Sequence, residues 1–290
     1  MRILLTGAAG QLGQALAPAL AALGAVNALD RSRLDLADAD ALRRTVRATA
    51  PDLIVNAAAW TAVDKAETAP EAARRVNARA PGIMAEEAAR RGALFVHYST
   101  DYVFDGAADR PYDEEDPTAP LNVYGASKLE GERAVMAAGG RSLIFRTSWV
   151  WAPWGMNFYR TILRLAGERR ELTVVDDQIG APTFAPAIAD GTVAVVRRIV
   201  AEGEGAPAPW GIYHMTCAGQ TSWAGFAAAI VEHASLPCRI VPIPTSAYPT
   251  PARRPLRSLL ANEKLAARFG VALPFWRTPL DTLPLDSGGG

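Results

Sequence analysis

The stretch "RILLTGAAGQLGQALAPALAALG", residues 2–24, constrains the fold more than any other part of the chain. A short apolar run ends at Gly7. Gly10 and Gly13 follow at G-x-x-G-x-x-G spacing, and an alanine-rich segment, 14–24, reads as a helix that closes on Gly24. Strand, glycine turn and helix in succession form the opening unit of a β-α-β fold. The rhythm then continues. Residues 25–30, 51–59, 93–100 and 142–151 read as strands; 38–50, 68–92 and 127–140 read as helices, the middle one as a long helix or a pair. This alternation predicts an α/β protein with a doubly wound parallel sheet covered by helices on both faces. From about residue 151 proline and aromatic residues become denser, as in "GAPTFAP" and "IVPIPTSAYPTPARRP". We therefore expect a dinucleotide-binding domain over 1–150, to which some later segments return. A smaller C-terminal substrate lobe over 151–286, built mainly of loops and short elements, would follow, with a flexible tail at 287–290.

The glycine turn has a chemical reading. Glycines permit a tight turn and let backbone N–H groups approach a pyrophosphate, and the start of the following helix adds a favourable dipole. Gly7, Gly10 and Gly13 are thus candidates for a Rossmann-type cofactor loop. Asp30 ends the second predicted strand, where a carboxylate can accept hydrogen bonds from an adenosine ribose, as NADH requires. Arg31 and Arg33 follow at once, and a guanidinium there suits the 2′-phosphate of NADPH. The two signals conflict, so both cofactors stay open. Asp35 and Leu36 could flank the adenine; Asp35 could equally cap the next helix.

"NVYGASKLEGERAV" places Tyr124 four residues before Lys128, on one face of a helix. The chain contains only three lysines, Lys65, Lys128 and Lys264, so its basic charge is otherwise arginine. Reducing a ketone leaves charge on oxygen, which needs a proton donor. A free tyrosine loses its proton only near pH 10, and a neighbouring ammonium would lower that value. Lysine, a compact point charge, can also donate to ribose hydroxyls. Ser99, Thr100 and Asp101 lie at the predicted carboxyl end of the fourth strand, where a hydroxyl can donate to the reacting oxygen.

Other classes of function find little support. Formal net charge is zero, no basic stretch alternates with aromatics, and no uninterrupted apolar run has membrane-spanning length. Neither nucleic acid nor a membrane is therefore an expected partner. The N-terminus reads as strand rather than signal peptide, and Cys217 and Cys238 read as reduced thiols, so the expected location is the cytoplasm. The three histidines, His97, His214 and His233, have no metal-ligand spacing.

With these motifs in place, the sequence resembles the extended short-chain dehydrogenase/reductases. Narrower stretches, "NAAAWTAVDKAE" (56–67), "HYSTDYVFDG" (97–106), "APLNVYGASKLEGE" (119–132), "FRTSWVW" (145–151), "DDQIGAPT" (176–183) and "TPARRP" (250–255), are similar to the dTDP-4-dehydrorhamnose reductase family within them. The resemblance implies NADPH or NADH as cofactor, a dTDP-sugar as substrate and reduction of its C4 ketone. It implies that Gly10, Gln11 and Leu12 line the pyrophosphate, that Asp30, Asp35 and Leu36 meet the adenosine, and that Ala59, Trp60 and Thr61 approach the cofactor. Thr100, Tyr124 and Lys128 would form the catalytic set, and Thr100, Asp101 and Trp149 would contact the deoxysugar. Arg253 and Arg254 would bind the diphosphate. Some members of the family pair through a magnesium ion held by acidic side chains. The matching positions here are Gln14-Ala15 and Ala185-Pro186, which offer no carboxylate, so we expect a monomer or weak homodimer without a metal bridge. Trp60 also departs from the smaller aromatic or histidine common at its position. The alternatives are a nucleotide-sugar epimerase or dehydratase of the same fold, or a non-catalytic NADP-binding regulatory subunit.

Overall fold

The computed structural model describes residues 1–203 and 207–284; the expected tail at 287–290 lies outside them. The first half contains β1 (Arg2–Thr6), α1 (Gln11–Leu20), β2 (Ala25–Leu29), α2 (Ala39–Thr49) and β3 (Leu53–Asn56). These are followed by α3 (Val63–Thr68), α4 (Pro70–Arg74), α5 (Ala80–Arg91), β4 (Leu94–Thr100), α6 (Val123–Ala137) and β5 (Arg141–Thr147). The second half adds β6 (Val150–Trp151), α7 (Phe158–Glu168), β7 (Glu171–Val175), β8 (Ile179–Gly180), β9 (Thr183–Phe184) and α8 (Ala185–Glu202). It ends with β10 (Gly211–His214), β11 (Thr221–Ser222), α9 (Trp223–His233), β12 (Arg239–Ile243), α10 (Glu263–Phe269) and α11 (Thr278–Asp281).

Six strands form the central sheet in the order β2-β1-β3-β4-β5-β10, all parallel. The chain winds from β1 to one side and then returns to the other, so a crevice opens between the ends of β1 and β3. Strand side chains alternate between faces, and both faces are buried. Leu5, Val55, Val96 and Phe145 point to one core, which α1 and α8 cover with Leu16, Leu20, Ile188 and Val196. Leu4, Ile54, Phe95 and Ile144 point to the other, covered by Leu42 and Val46 of α2 and Met84 of α5.

Three readings of the sequence need correction. The helix expected over 127–140 begins earlier, at Val123, because the Asn122 side chain caps it by accepting from Gly125 N–H at 2.8 Å. The strand expected over 142–151 breaks at Ser148-Trp149, where Trp149 takes a left-handed φ of 45°, and a separate strand, β6, follows from Val150. The second half is also more helical than expected. The 18-residue α8 is rich in β-branched residues that favour strands, yet it buries Ile188, Val193, Val196 and Ile199 along one side. Strand β10 pairs with β5, so the sheet draws on residues beyond 150.

Candidate active site

Three chain segments meet over the crevice. Gly7 turns the chain with φ +74°, and a Cβ there would lie 2.6 Å from Ala58 N, so only glycine lets the turns after β1 and β3 approach this closely. Gly13 works from inside: a Cβ at this position would sit 2.0 Å from Gly7 O. It packs the turn against α1 and does not line the cavity, unlike Gly7 and Gly10. Gly10 N-caps α1 without a side-chain bond, which leaves the first N–H groups of the helix for a ligand.

The cavity above this turn has a volume of about 480 Å³. Gln11, Leu12, Asp30, Arg31, Asp35 and Leu36 line one end of the set; Ala59, Trp60, Thr61, Tyr124 and Lys128 also reach its wall. Asp30 folds its own turn. Its Oδ1 accepts from Ser32 N–H at 2.9 Å, Ser32 Oγ at 2.6 Å and Arg33 N–H at 3.2 Å, and the Ser32 hydroxyl is the main reason its carboxyl stays below the usual range. Oδ2 is left for a ligand. Of the two arginines, Arg33 is tied back to Ala28 O at 3.0 Å, whereas Arg31 is exposed at the cavity with only a long 3.9 Å contact to Asp35.

A π-helical turn, Arg75–Arg79, interrupts the run between α4 and α5. It presents Asn77, whose amide donates to Trp60 O at 3.1 Å and Ser127 Oγ at 3.0 Å and whose oxygen accepts from Trp60 N–H at 2.8 Å. The backbone of Trp60 is thereby held to α6. Its indole donates to Ala62 O at 3.2 Å.

Tyr124 and Lys128 lie one turn apart on α6 and both reach the cavity. Lys128 is fully buried; its Nζ donates to Tyr98 O at 2.6 Å and sits 3.3 Å from His97 Nε2. Burial brings the amine down to about 8, against an opposing pull from the Glu132 carboxylate. The Tyr124 phenol goes the other way, to about 12, because of burial; its hydrogen bond with the Thr100 hydroxyl lowers it and the Asp101 carboxylate raises it. In this geometry Lys128 Nζ faces Tyr98 O and His97 Nε2, and burial dominates the phenol. Thr100 also donates to Asp101 Oδ1 at 3.0 Å, and burial pushes the Asp101 carboxyl up to about 6.

Thr100 and Asp101 interact with Tyr124 but, unlike Tyr124 and Lys128, do not line the first cavity. Trp149 lies outside the cavity wall, stacked on Trp223 with ring centroids 3.6 Å apart and against Gly180, where a Cβ would be 2.5 Å from its ring. Arg253 and Arg254 border a second cavity of about 490 Å³ that also includes Leu121 and Tyr248. Their roles diverge. Arg254 forms a bidentate pair with Asp64 of α3, both contacts at 2.8 Å, so its guanidinium is already committed. Arg253 is exposed, and its carbonyl accepts from the Asn122 amide at 2.7 Å. The start of α6 is a shared wall, since Leu121 borders the second cavity and Tyr124 the first.

Several residues escaped the sequence reading. Ser99 Oγ and Thr147 Oγ1 are buried, border the first cavity and have no partner among the described residues. Ser99 reads with Thr100 as a strand-end hydroxyl, and the resemblance favours Thr100. Thr147, His97 and Asn122 fall within the family-like stretches without a role of their own, and Asn77 lies outside them. The turn that only glycine fits, the open helix start and the two unpartnered hydroxyls all suit a dinucleotide.

A doubly wound parallel sheet with a glycine turn and a Tyr-Lys pair on one cavity defines a nucleotide-cofactor protein of the short-chain dehydrogenase/reductase class. The family described as "RmlD substrate binding domain" matches residues 1–285. A dTDP-4-dehydrorhamnose reductase of Burkholderia thailandensis is 55% identical over 285 residues, covering 96% of each chain. The enzyme of that name from Escherichia coli K12 is 47% identical, covering 96% of this chain and 95% of its own. A solved dTDP-4-dehydrorhamnose reductase from Bacillus anthracis, in complex with NADP, superposes with a TM-score of 0.90 at 33% identity over 97% of both chains. The chain belongs to the dTDP-4-dehydrorhamnose reductase family.

Proposed function

We propose that this chain reduces the C4 ketone of dTDP-4-dehydro-β-L-rhamnose to dTDP-L-rhamnose, the last step of dTDP-rhamnose synthesis, with NADPH or NADH. The observation that carries the reading is Tyr124: a buried phenol, hydrogen-bonded to Thr100, on the wall of the cavity that starts at the glycine turn. Burial keeps it protonated through the neutral range, the state a proton donor to a reduced ketone needs. The cofactor, when bound, supplies the hydride. Gly7, Gly10 and the first turn of α1 would hold its pyrophosphate, and Asp30 and Arg31 its adenosine end. Leu36 and Asp35 would border the adenine, Ala59, Trp60 and Thr61 the middle of the cofactor, and Lys128 the second ribose.

Thr100 positions the Tyr124 hydroxyl and would share the substrate oxygen with it. Asp101, Trp149 and Arg253 are the proposed contacts to the dTDP-sugar, with Arg253 on the diphosphate. Arg254 supports that loop through Asp64. The domain division proposed is a cofactor domain over 1–150, joined by β10 and α8, beside a substrate lobe from the remaining later segments. No described helix is long and apolar enough to cross a membrane. A cytoplasmic enzyme, monomeric or weakly dimeric and without a metal bridge, is part of the same reading; a magnesium-dependent dimer that EDTA dissociates would contradict it.

The test is incubation of the purified protein with NADPH or NADH and the keto sugar generated in situ. Stoichiometric cofactor oxidation with a 6-deoxyhexose product supports the reductase. Cofactor that survives purification and is regenerated each turn would instead indicate an epimerase or dehydratase.

A further inference from the structure

Beneath the Tyr-Lys pair runs a buried polar chain that no catalytic motif includes. Thr6 Oγ1 donates to Asn56 Oδ1 at 2.7 Å, and Ala58 N–H donates to the same oxygen at 3.2 Å. A backbone N–H can only donate, so this atom of Asn56 must be the oxygen, and its Nδ2 therefore faces His97 Nδ1 at 3.0 Å. The amide nitrogen can only donate, so His97 Nδ1 carries a lone pair. His97 is completely buried, and burial is the main reason the ring stays neutral. A neutral ring with a bare Nδ1 has its proton on Nε2, and Nε2 points at Lys128 Nζ, 3.3 Å away.

An ammonium at that place would aim an N–H at another N–H. An uncharged amine closes the inventory: its lone pair accepts from His97 Nε2–H, and one of its own hydrogens goes to Tyr98 O at 2.6 Å. We propose that His97 is a positioning residue for Lys128, presenting an N–H rather than a lone pair to the amine and so favouring its uncharged form in the cofactor-free protein.

The other charged groups around α6 do not replace this contact. Glu132, one turn beyond Lys128, favours the ammonium, but its carboxylate is bound by Arg146 of β5 at 2.7 and 2.9 Å. In the turn after β4, Asp101 acts on Tyr124 and on Tyr102. On α3, Asp64 pairs with Arg254 and Glu67 accepts from Val123 N–H; on α4, Arg74 pairs with Glu71 and with Glu130 of α6. Arg75 of the π-turn borders the cavity, Arg79 closes that turn, and the α5 carboxylates Glu86 and Glu87 bind Arg43 and Arg47 of α2.

The functional consequence, which rests on the reductase reading, is an alkaline limit on kcat/KM for the cofactor, set by Lys128 and moved by residue 97. The composition makes a direct test practical, because the chain has three lysines and three histidines. Selective ¹³C labelling of lysine side chains in the cofactor-free protein should show a titration near pH 8 that belongs to Lys128. Nitrogen-15 shifts of the histidines should show His97 protonated at Nε2 alone. In His97→Gln an acceptor oxygen can face the amine; the low titration and the alkaline limb of kcat/KM for the cofactor should both rise by about one pH unit, a tenfold change in proton affinity. A Lys128 titration at the ordinary value, an Nδ1–H ring in the wild type, or an unmoved limb in the variant would overturn the assignment. If His97→Gln does not fold, the wild-type spectra decide alone. Lys128 titrating normally in an active reductase rejects His97's role and keeps the enzyme; a low, residue-97-dependent titration without activity keeps the network and rejects the substrate.

Discussion

Arg31 and Arg33 stand two positions apart with the same side chain and reach different fates. Arg33 spends its guanidinium on the Ala28 carbonyl, so it shapes the turn after β2; Arg31 remains exposed at the cavity. Arg31→Ala should therefore raise the KM for NADPH roughly tenfold and leave that for NADH nearly unchanged, since one charge-assisted contact to a 2′-phosphate would be lost. Steady-state kinetics with both cofactors check this, and equal losses for both would place Arg31 elsewhere. The same contrast separates Arg253 from Arg254. Neither distinction was legible in the sequence, because spacing cannot say which of two neighbouring guanidinium groups the fold already uses. The glycines were legible for the opposite reason. A turn that leaves no room for a Cβ at Gly7 admits one residue type, and that choice is visible in the letters.

At the scale of elements, α6 carries the pair that the chemistry needs, and the sheet holds α6 from below. Arg146 of β5 and Glu132 of α6 form a bidentate ion pair with both side chains almost fully buried, and Arg146 lies 5.1 Å above the Phe104 ring. Removing one partner leaves an unpaired buried charge. Glu132→Ala should cost about 3–5 kcal/mol in denaturant unfolding; a loss under about 1 kcal/mol would show that the pair is not what anchors the helix. Tyr124 and Lys128 were readable from their one-turn spacing. Their supports were not: Thr6 and Asn56 are 50 residues apart, Asn56 and His97 are 41 apart, and His97 and Lys128 are 31 apart, so only the folded sheet makes them neighbours. Helix α8 escaped because its valines favour strands locally, while the buried face beside α1 decides otherwise. The break at Trp149 escaped because one residue with positive φ, at a cost of order 1–3 kcal/mol, splits what reads as a single strand.

In the whole molecule, the Asp64–Arg254 clasp joins α3, just past the turn that holds Trp60, to the loop that carries Arg253. The Arg254 hydrogen bonds are the main reason the Asp64 carboxyl lies below its ordinary range. The clasp is therefore intact at neutral pH and is lost only as pH falls through that lowered value, so its share of stability is an acid-sensitive one. Asp64→Ala should release the loop and raise the KM for the dTDP-sugar roughly tenfold, with a smaller effect on the cofactor. Unchanged sugar kinetics would mean that the loop is held by other contacts, such as that of Asn122 to Arg253 O.

The most direct test of the account is loss of the reduced nicotinamide absorbance with dTDP-4-dehydrorhamnose, comparing wild type with Tyr124→Phe. The phenol supplies the proton and does not hold the cofactor's phosphates. The variant should therefore bind NADPH almost as well and turn over about a hundredfold or more slowly. Wild-type turnover in Tyr124→Phe would contradict the assignment of the site.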